Sequence, residues 1–490
     1  MRRLPWRALF KRVSTVILVV DVIIRVIAVI GVPRNRRPTA AMAWLMAIFI
    51  SPIPGSILFS ILGTTKLPKD RRDKQQQIND FILDTTSGLD LVTKNDTWPR
   101  WFNSVVELNQ TLGAMPLVGG NDAELLPHYE ESIAAMTAAI DKAERYVHVE
   151  FYIFSLDETT GPFFDALRNA VARGVTVRVL YDHFATMRSP RGRKTRAWLR
   201  RHDISFYEML PFRPFTGHWR RPDLRNHRKV VVVDGLVGFM GSQNLVDASY
   251  NKKGNIKKGL QWKDLMVRLE GPVVAGVNAI FITDWYSESN ELLRREADPI
   301  HTVDEPDTLD LQLVPSGPGF EGENNLRLFN ALLYSAQQRL VIVSPYFVPD
   351  DSMLYAITTA AERGVKVQLF ACEVADQALV YHAQRSYYET LLKAGVRIWL
   401  YKKPVVLHAK HFTVDDDVAV IGSSNMDMRS FSLNFEVSLM VRGKRFVDRL
   451  REVEDNYRSH SRELLLEDWL KRPLRSQILD NVSRLTAAVQ

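Results

Sequence analysis

The 490-residue chain has little cysteine: Cys372 is the only one. That excludes an intrachain disulfide, a C-x-x-C redox pair and a cysteine-rich zinc site. A reducing compartment fits but is not required. No Walker string, H-E-x-x-H or DxDG-type metal site is present. One G-x-G-x-x-G match, Gly317-Pro-Gly-Phe-Glu-Gly322, has Pro318 inside the turn and opens no clear βαβ unit. A lone match of that kind is a weak nucleotide signal. No cofactor, metal or nucleotide is therefore expected.

Basic charge is scarce where a nucleic-acid-binding body would need it. The net charge is +8, but residues 1–74 hold 14 Lys+Arg and 3 Asp+Glu. The remainder is slightly acidic, with 50 basic and 53 acidic residues. A nucleic-acid partner is not expected. Apolar residues make up 46% and charged residues 24%, so a mainly disordered chain is excluded.

The basic N-terminal segment surrounds two apolar runs, at about 13–32 and 39–63. The second has no charge but contains Pro52 and Pro54; the first carries Asp21 and Arg25, which can pair at i,i+4. About 20 apolar residues span a bilayer as a helix. The runs are expected to form a two-helix transmembrane hairpin over residues 1–65. The alternative is a cleaved signal peptide followed by one anchor, although no A-x-A-like site is seen. Five basic residues precede the first run and five follow the second, against three between them. That bias places both flanks in the cytoplasm. Residues 66–112 are polar and read as a linker.

From about Pro116 the chain alternates short β-branched runs with helical patterns, which predicts an α/β body. The body is internally duplicated. "AVARGVTVRVL" (170–180) matches "AAERGVKVQLF" (360–370), and "HVEFYIFS" (148–155) takes the place of "VIVSPYFVPD" (341–350). The halves are expected at 113–305 and 306–490, the second with a C-terminal helical tail. The first half carries about nine extra residues, expected within 211–224. The stretch 469–489 is basic and partly amphipathic; it reads either as a lipid contact or as a docked surface helix.

Each half holds one string with the same internal spacing. The first is His227-x-Lys229-x4-Asp234, then Gly241-Ser242-x-Asn244; the second is His408-x-Lys410-x4-Asp415, then Gly422-Ser423-x-Asn425. On a strand, i and i+2 share a face, so each His lies beside its Lys. Asp234-Gly235 and Asp415-Asp416 are expected as two-residue hairpin turns, which puts His227 opposite Ser242 and His408 opposite Ser423. Two such sets suit attack on a phosphodiester. One neutral imidazole can be the nucleophile and the other, protonated, the general acid. Lys229 and Lys410 can neutralise phosphoryl oxygens, while Ser242, Asn244, Ser423 and Asn425 can bind the phosphate. Asp234 and Asp415 complete the catalytic string, but their turn positions and odd offset from His favour a structural role.

On these residues the chain resembles the phospholipase D superfamily, whose signature is H-x-K-x4-D with G-S-x-N, present twice. It is more narrowly similar to the bacterial cardiolipin synthases that join two phosphatidylglycerols. That likeness rests on "AMAWLMAIFISPIPGSILFSILG" (41–63), "PLVGGND" (116–122), "QWKDLMVRLEGP" (261–272), "SGPGF" (316–320), "SPYFVPDD" (344–351) and "NMDMRSFSLNFE" (425–436). The resemblance implies two α/β halves sharing one site at a pseudo-twofold interface. It makes His227 the nucleophile and His408 the acid. It also implies a carboxylate behind each imidazole, Asp264 in the first half and Glu436 in the second. It implies phosphatidyl transfer giving cardiolipin and glycerol through a phosphohistidine. Phosphatidylglycerol and cardiolipin are then the partners, and a multi-pass protein of the bacterial inner membrane with a cytoplasmic body is expected. The same chemistry with water as acceptor, another phosphatidyltransferase, a nuclease and an inactive scaffold remain as rivals.

Overall fold

The computed structural model describes residues 6–34, 36–63, 74, 98–113, 115–211, 223–293, 302–303, 308–320, 322–374 and 376–485. Most of the expected linker and of the expected insertion lies outside them. The chain divides into two units, Met1–Lys66 and Leu67–Gln490.

The first unit is helical, but the expected transmembrane hairpin is not there. Among the described residues no helix is long and apolar enough to cross a membrane. The multi-pass membrane placement rested on that hairpin and is corrected with it. The second apolar run is broken at Ser51 into helices Pro38–Ile50 and Pro52–Leu62. Proline lacks the N–H that would continue the helical ladder. Thirteen residues rise only about 20 Å, against a hydrocarbon core of about 30 Å. The two pieces pack tightly at Gly55, where a Cβ would lie 2.7 Å from the Ala47 carbonyl oxygen. The first run is one helix, Trp6–Gly31, interrupted in polarity by an Asp21–Arg25 ion pair at 3.0 Å.

The second unit is built on one mixed sheet of 16 strands. Its centre is the antiparallel pair Leu117–Leu126 and Leu309–Ser316. From that pair the first half runs outward through Met266–Glu270, Val237–Gly241, Lys229–Val233, Tyr146–Phe151, Thr176–Asp182 and Ser205–Met209. The second half runs the other way through Asn434–Arg442, Val418–Gly422, His411–Val414, Arg339–Val343, Lys366–Cys372 and Arg397–Tyr401. The duplication read in the sequence thus appears as two copies of one strand order. Helices cover both faces. On one, Val273, Val277 and Ile280 share a continuous core with Leu439, Val441, Phe446 and Leu450. On the other, each half has its own core, around Phe163 and Leu167 in the first and Leu332 and Ile357 in the second. Helix Arg100–Gly113 adds Phe102 and Val105 to the second-half core.

Candidate active site

Each motif histidine lies in an extended lead-in just before a central strand, and that lead-in pairs with the other half. Arg225–Asn226 run parallel to Asn434–Phe435, and the His227 N–H donates to the Phe435 carbonyl at 2.9 Å. Val405–Leu407 run parallel to Gln261–Lys263, and the His408 N–H donates to the Lys263 carbonyl at 2.7 Å. These reciprocal pairings decide which carboxylate meets which imidazole. His227 Nδ1 is 3.0 Å from Glu436 Oε1, and His408 Nδ1 is 2.7 Å from Asp264 Oδ1. The carboxylates were expected behind the histidine of their own half. They are crossed instead, because each histidine is stitched to the opposite half's carboxylate segment.

The serines differ from expectation as well. Ser242 Oγ donates to Asp264 Oδ1 at 2.7 Å, and Ser423 Oγ donates to Glu436 Oε2 at 2.5 Å. Their hydroxyls therefore hold the carboxylates that hold the imidazoles. The motif glycines let this happen. A Cβ on Gly241 or Gly422 would collide with the backbone of the neighbouring strand at Leu265–Met266 or Val437–Ser438. Asn244 accepts from the Ile153 N–H at 3.1 Å and donates to Tyr250 Oη at 2.9 Å. Asn425 Oδ1 is buried with no hydrogen-bond partner among the described residues.

The hairpin register is one residue off the expected one. Val233 opposes Val237 and Val414 opposes Val418, so each turn has three residues. Asp234 and Asp415 sit there in the left-handed region, with φ of 55° and 50°. Their carboxylates accept from three successive backbone N–H groups: Glu144, Arg145 and Tyr146 for Asp234, and Gln337, Gln338 and Arg339 for Asp415. They close the strand ends, and their carboxylates are partnered by these backbone N–H groups, not by the imidazoles.

The lysines stay beside their histidines. Lys229 Nζ donates to the His227 carbonyl at 2.5 Å. Lys410 Nζ donates to the His408 carbonyl at 2.6 Å and lies 3.2 Å from His408 Nε2. Both are buried, and burial pushes the Lys410 ammonium down to about 8 and Lys229 well below its ordinary value. Burial also lowers both imidazoles, His227 to about 4, with Glu436 pulling it back up and Lys229 pushing it down. Burial pushes Asp264 up, but His408, Lys410 and Ser242 outweigh it and hold the carboxyl down at about 2. Glu436 is lowered in the same way, with burial opposed by His227, Lys229 and Ser423. Burial thus disfavours the charged imidazoles, while both carboxylates are held in their charged form. Lys410 acts on His227 and Lys229 acts on His408, so the two sets share one electrostatic field.

A family model described as "Cardiolipin synthase, PLD-like domain" matches residues 136–285 and 329–457. The chain belongs to the cardiolipin synthase family. It is 34% identical over 460 residues to cardiolipin synthase A of Proteus mirabilis, covering 91% of this chain and 92% of that one. To cardiolipin synthase A of Wigglesworthia glossinidia brevipalpis it is 32% identical over 472 residues, 94% and 93% of the two chains. The fold is similar to that of phosphatidylserine synthase from Haemophilus influenzae Rd KW20, with a TM-score of 0.61 at 16% identity, covering 78% of this chain and 99% of that one. As a member of the cardiolipin synthase family the chain is an enzyme, a phosphatidyltransferase.

Two aromatic residues of this family member escaped the sequence reading. The Tyr152 ring meets His227 edge-on at 4.8 Å, and the Tyr346 ring meets His408 at 6.2 Å. Both follow the second strand of their half, in "FYIF" and "PYFV", and that shared Tyr was visible in the duplicated strings. Among the described residues no group of three or more His, Cys, Asp or Glu is arranged to hold a metal ion.

Proposed function

We propose that the chain makes cardiolipin from two molecules of phosphatidylglycerol, with His227 as nucleophile. The observation that carries this reading is the crossed pair of Nδ1–carboxylate contacts, which fixes both rings and leaves Nε2 of each to act on phosphorus or its leaving oxygen. His227 Nε2 attacks the phosphorus of one phosphatidylglycerol. The bond from phosphorus to the glycerol headgroup breaks, and His408 gives its proton to the departing oxygen. Free glycerol leaves a phosphatidyl-histidine. His408, now neutral, takes a proton from the headgroup hydroxyl of a second phosphatidylglycerol, which attacks phosphorus and releases His227. One phosphodiester replaces another, so no nucleotide is consumed.

Burial lowers both imidazoles, so the protonation of His408 needs support. The substrate phosphodiester brings a negative charge next to it, which favours the imidazolium. Lys229 and Lys410 offset the charge that grows on the non-bridging oxygens.

The test is incubation of the purified protein with phosphatidylglycerol alone, without CTP. Cardiolipin and free glycerol are expected; phosphatidic acid and glycerol would favour water as acceptor. His227→Ala should abolish an acid-labile phosphoenzyme, and persistence of the label would overturn the role given to His227.

A further inference from the structure

The last helix of the chain's described part, Leu474–Arg484, has its polarity turned inside out. Leu474, Ile478, Val482 and the C-capping Leu485 follow steps of four, four and three, which is one helix face. They are 69, 53, 55 and 81% exposed. The opposite face carries Asp480 and Ser483, which are 1 and 2% exposed. A surface helix in water ordinarily buries its apolar stripe. This one is anchored by its polar side. Asp480 meets His382 Nδ1 at 2.8 Å and Arg385 Nε at 3.2 Å, both on helix Ala378–Arg385, and Arg472 Nη1 at 2.6 Å. Turning the leucines inward would break all three contacts and strand a buried carboxylate.

Leu470 and Leu379, on neighbouring helices, are also exposed. Asp480 is the helix's only carboxylate and it is buried, whereas Arg475 and Arg484 are exposed; Lys471, at the helix entry, pairs with Asp468 at 3.6 Å. An apolar stripe edged by basic side chains fits an anionic lipid surface. A twofold pairing with a second copy would bring the exposed arginines of one helix against those of the other.

The anchoring helix also reaches the active site. Gln384, on Ala378–Arg385, accepts from the Phe347 N–H at 2.9 Å. The preceding residue, Tyr346, packs against His408 and donates to Asp376 Oδ1 at 2.7 Å. We propose that the face formed by Leu474, Ile478, Val482 and Leu485, with Leu470 and Leu379, docks on an anionic phospholipid leaflet. It seats the second half beside its lipid substrate. The proposal rests on the lipid-substrate reading above but is tested separately from it.

The experiment uses the full chain with Val482→Cys carrying an iodide-quenchable fluorophore. Cys372 does not compete, being buried with its thiol pushed up to about 12. Phosphatidylglycerol vesicles should shield the probe from iodide, and phosphatidylcholine vesicles should shield it less. The combined variant Leu474→Gln, Ile478→Gln and Val482→Gln should lose roughly tenfold or more of its turnover on such vesicles. On detergent-dispersed phosphatidylglycerol it should stay within about twofold of the parent. Equal quenching with and without vesicles overturns the proposal, as does equal shielding by both lipids. Shielding before any vesicle is added also overturns it, since a second copy or another part of this chain would then cover the face. The labelled single variant decides the matter alone if the triple variant fails to fold. A probe shielded on phosphatidylglycerol in a protein that makes no cardiolipin would keep the docking face and overturn the activity reading.

Discussion

Replacing Glu436 by Gln exchanges one oxygen for an amide nitrogen in a side chain with 0% exposure. Three groups surround that carboxylate: His227 Nδ1 at 3.0 Å, Ser423 Oγ at 2.5 Å and Asn434 Nδ2 at 3.3 Å. All three act as donors to it. The carboxylate can satisfy them together; an amide cannot, because one of its ends is itself a donor. If the amide nitrogen faces His227, Nδ1 must accept and the ring proton moves to Nε2, the atom assigned to attack phosphorus. If the amide oxygen faces His227, the nitrogen opposes the Ser423 or Asn434 donor. A buried carboxylate behind a catalytic imidazole, when made an amide, costs on the order of 10⁴-fold in kcat. That is about 5.4 kcal/mol at 1.36 kcal/mol per tenfold. Glu436 also offsets the burial that depresses His227, so the variant's imidazole should titrate at still lower pH. The assay is phosphoenzyme formation with labelled phosphatidylglycerol, alongside a p-nitrophenyl phosphodiester whose leaving group needs no proton. Glu436→Gln should fail with both substrates. Asp264→Asn disables the acid rather than the nucleophile, so the activated ester should rescue its first step. Activity of Glu436→Gln within about tenfold of the parent, or rescue of that variant and not of Asp264→Asn, would refute the reasoning.

Other outcomes follow from the same contacts. The alkaline limb of kcat/KM should fall below the ordinary imidazole range, because His408 must carry a proton and burial lowers it, and the limb of kcat should lie higher because bound phosphodiester favours the imidazolium. Asp264→Asn removes a charge that raises His408 and should move that limb lower still; an unmoved limb would remove His408 as its source. Asp234→Ala should cost about 2–4 kcal/mol in chemical denaturation by orphaning its three N–H donors, while leaving kcat nearly unchanged in the folded fraction; a selective loss of kcat would restore Asp234 to the catalytic group. Glu454 is buried and pushed up to about 7, by burial first, from an ordinary 4.5. An unfolded chain sheds that proton before the folded one, so stability falls between about pH 4.5 and 7 and stays reduced above. Glu454→Gln should therefore be stabilising by a few kcal/mol at pH 8 and near neutral at pH 4.5, as read by denaturant midpoints.

Much of this was legible from local pattern. The duplication, the two His–Lys pairs at i and i+2, and the turn position of both aspartates depend on periodicity and on residues close in the chain. The errors are partly local and partly of longer range. Hydropathy marked the N-terminal runs as apolar, but Pro52 and the Asp21–Arg25 pair determined what helices they form. The turn signal was read as two residues where the backbone takes three, which slid each hairpin by one. The serines were expected to bind phosphate; only the folded chain shows their hydroxyls on the two carboxylates.

By itself, the amino-acid order determined which chemistry this protein carries: two imidazoles, two ammonium groups and a repeated scaffold to hold them. Only the tertiary structure decided how those groups are wired, giving Glu436 to His227 and Asp264 to His408. The physical reason is that both contacts depend on parallel pairing between segments 209 and 144 residues apart. No periodicity or spacing along the chain encodes which of two similar strands a lead-in will pair with. The helix at the end is the same case, since the stretch reads either as a lipid contact or as a docked surface helix until Asp480 is seen holding its polar face inward.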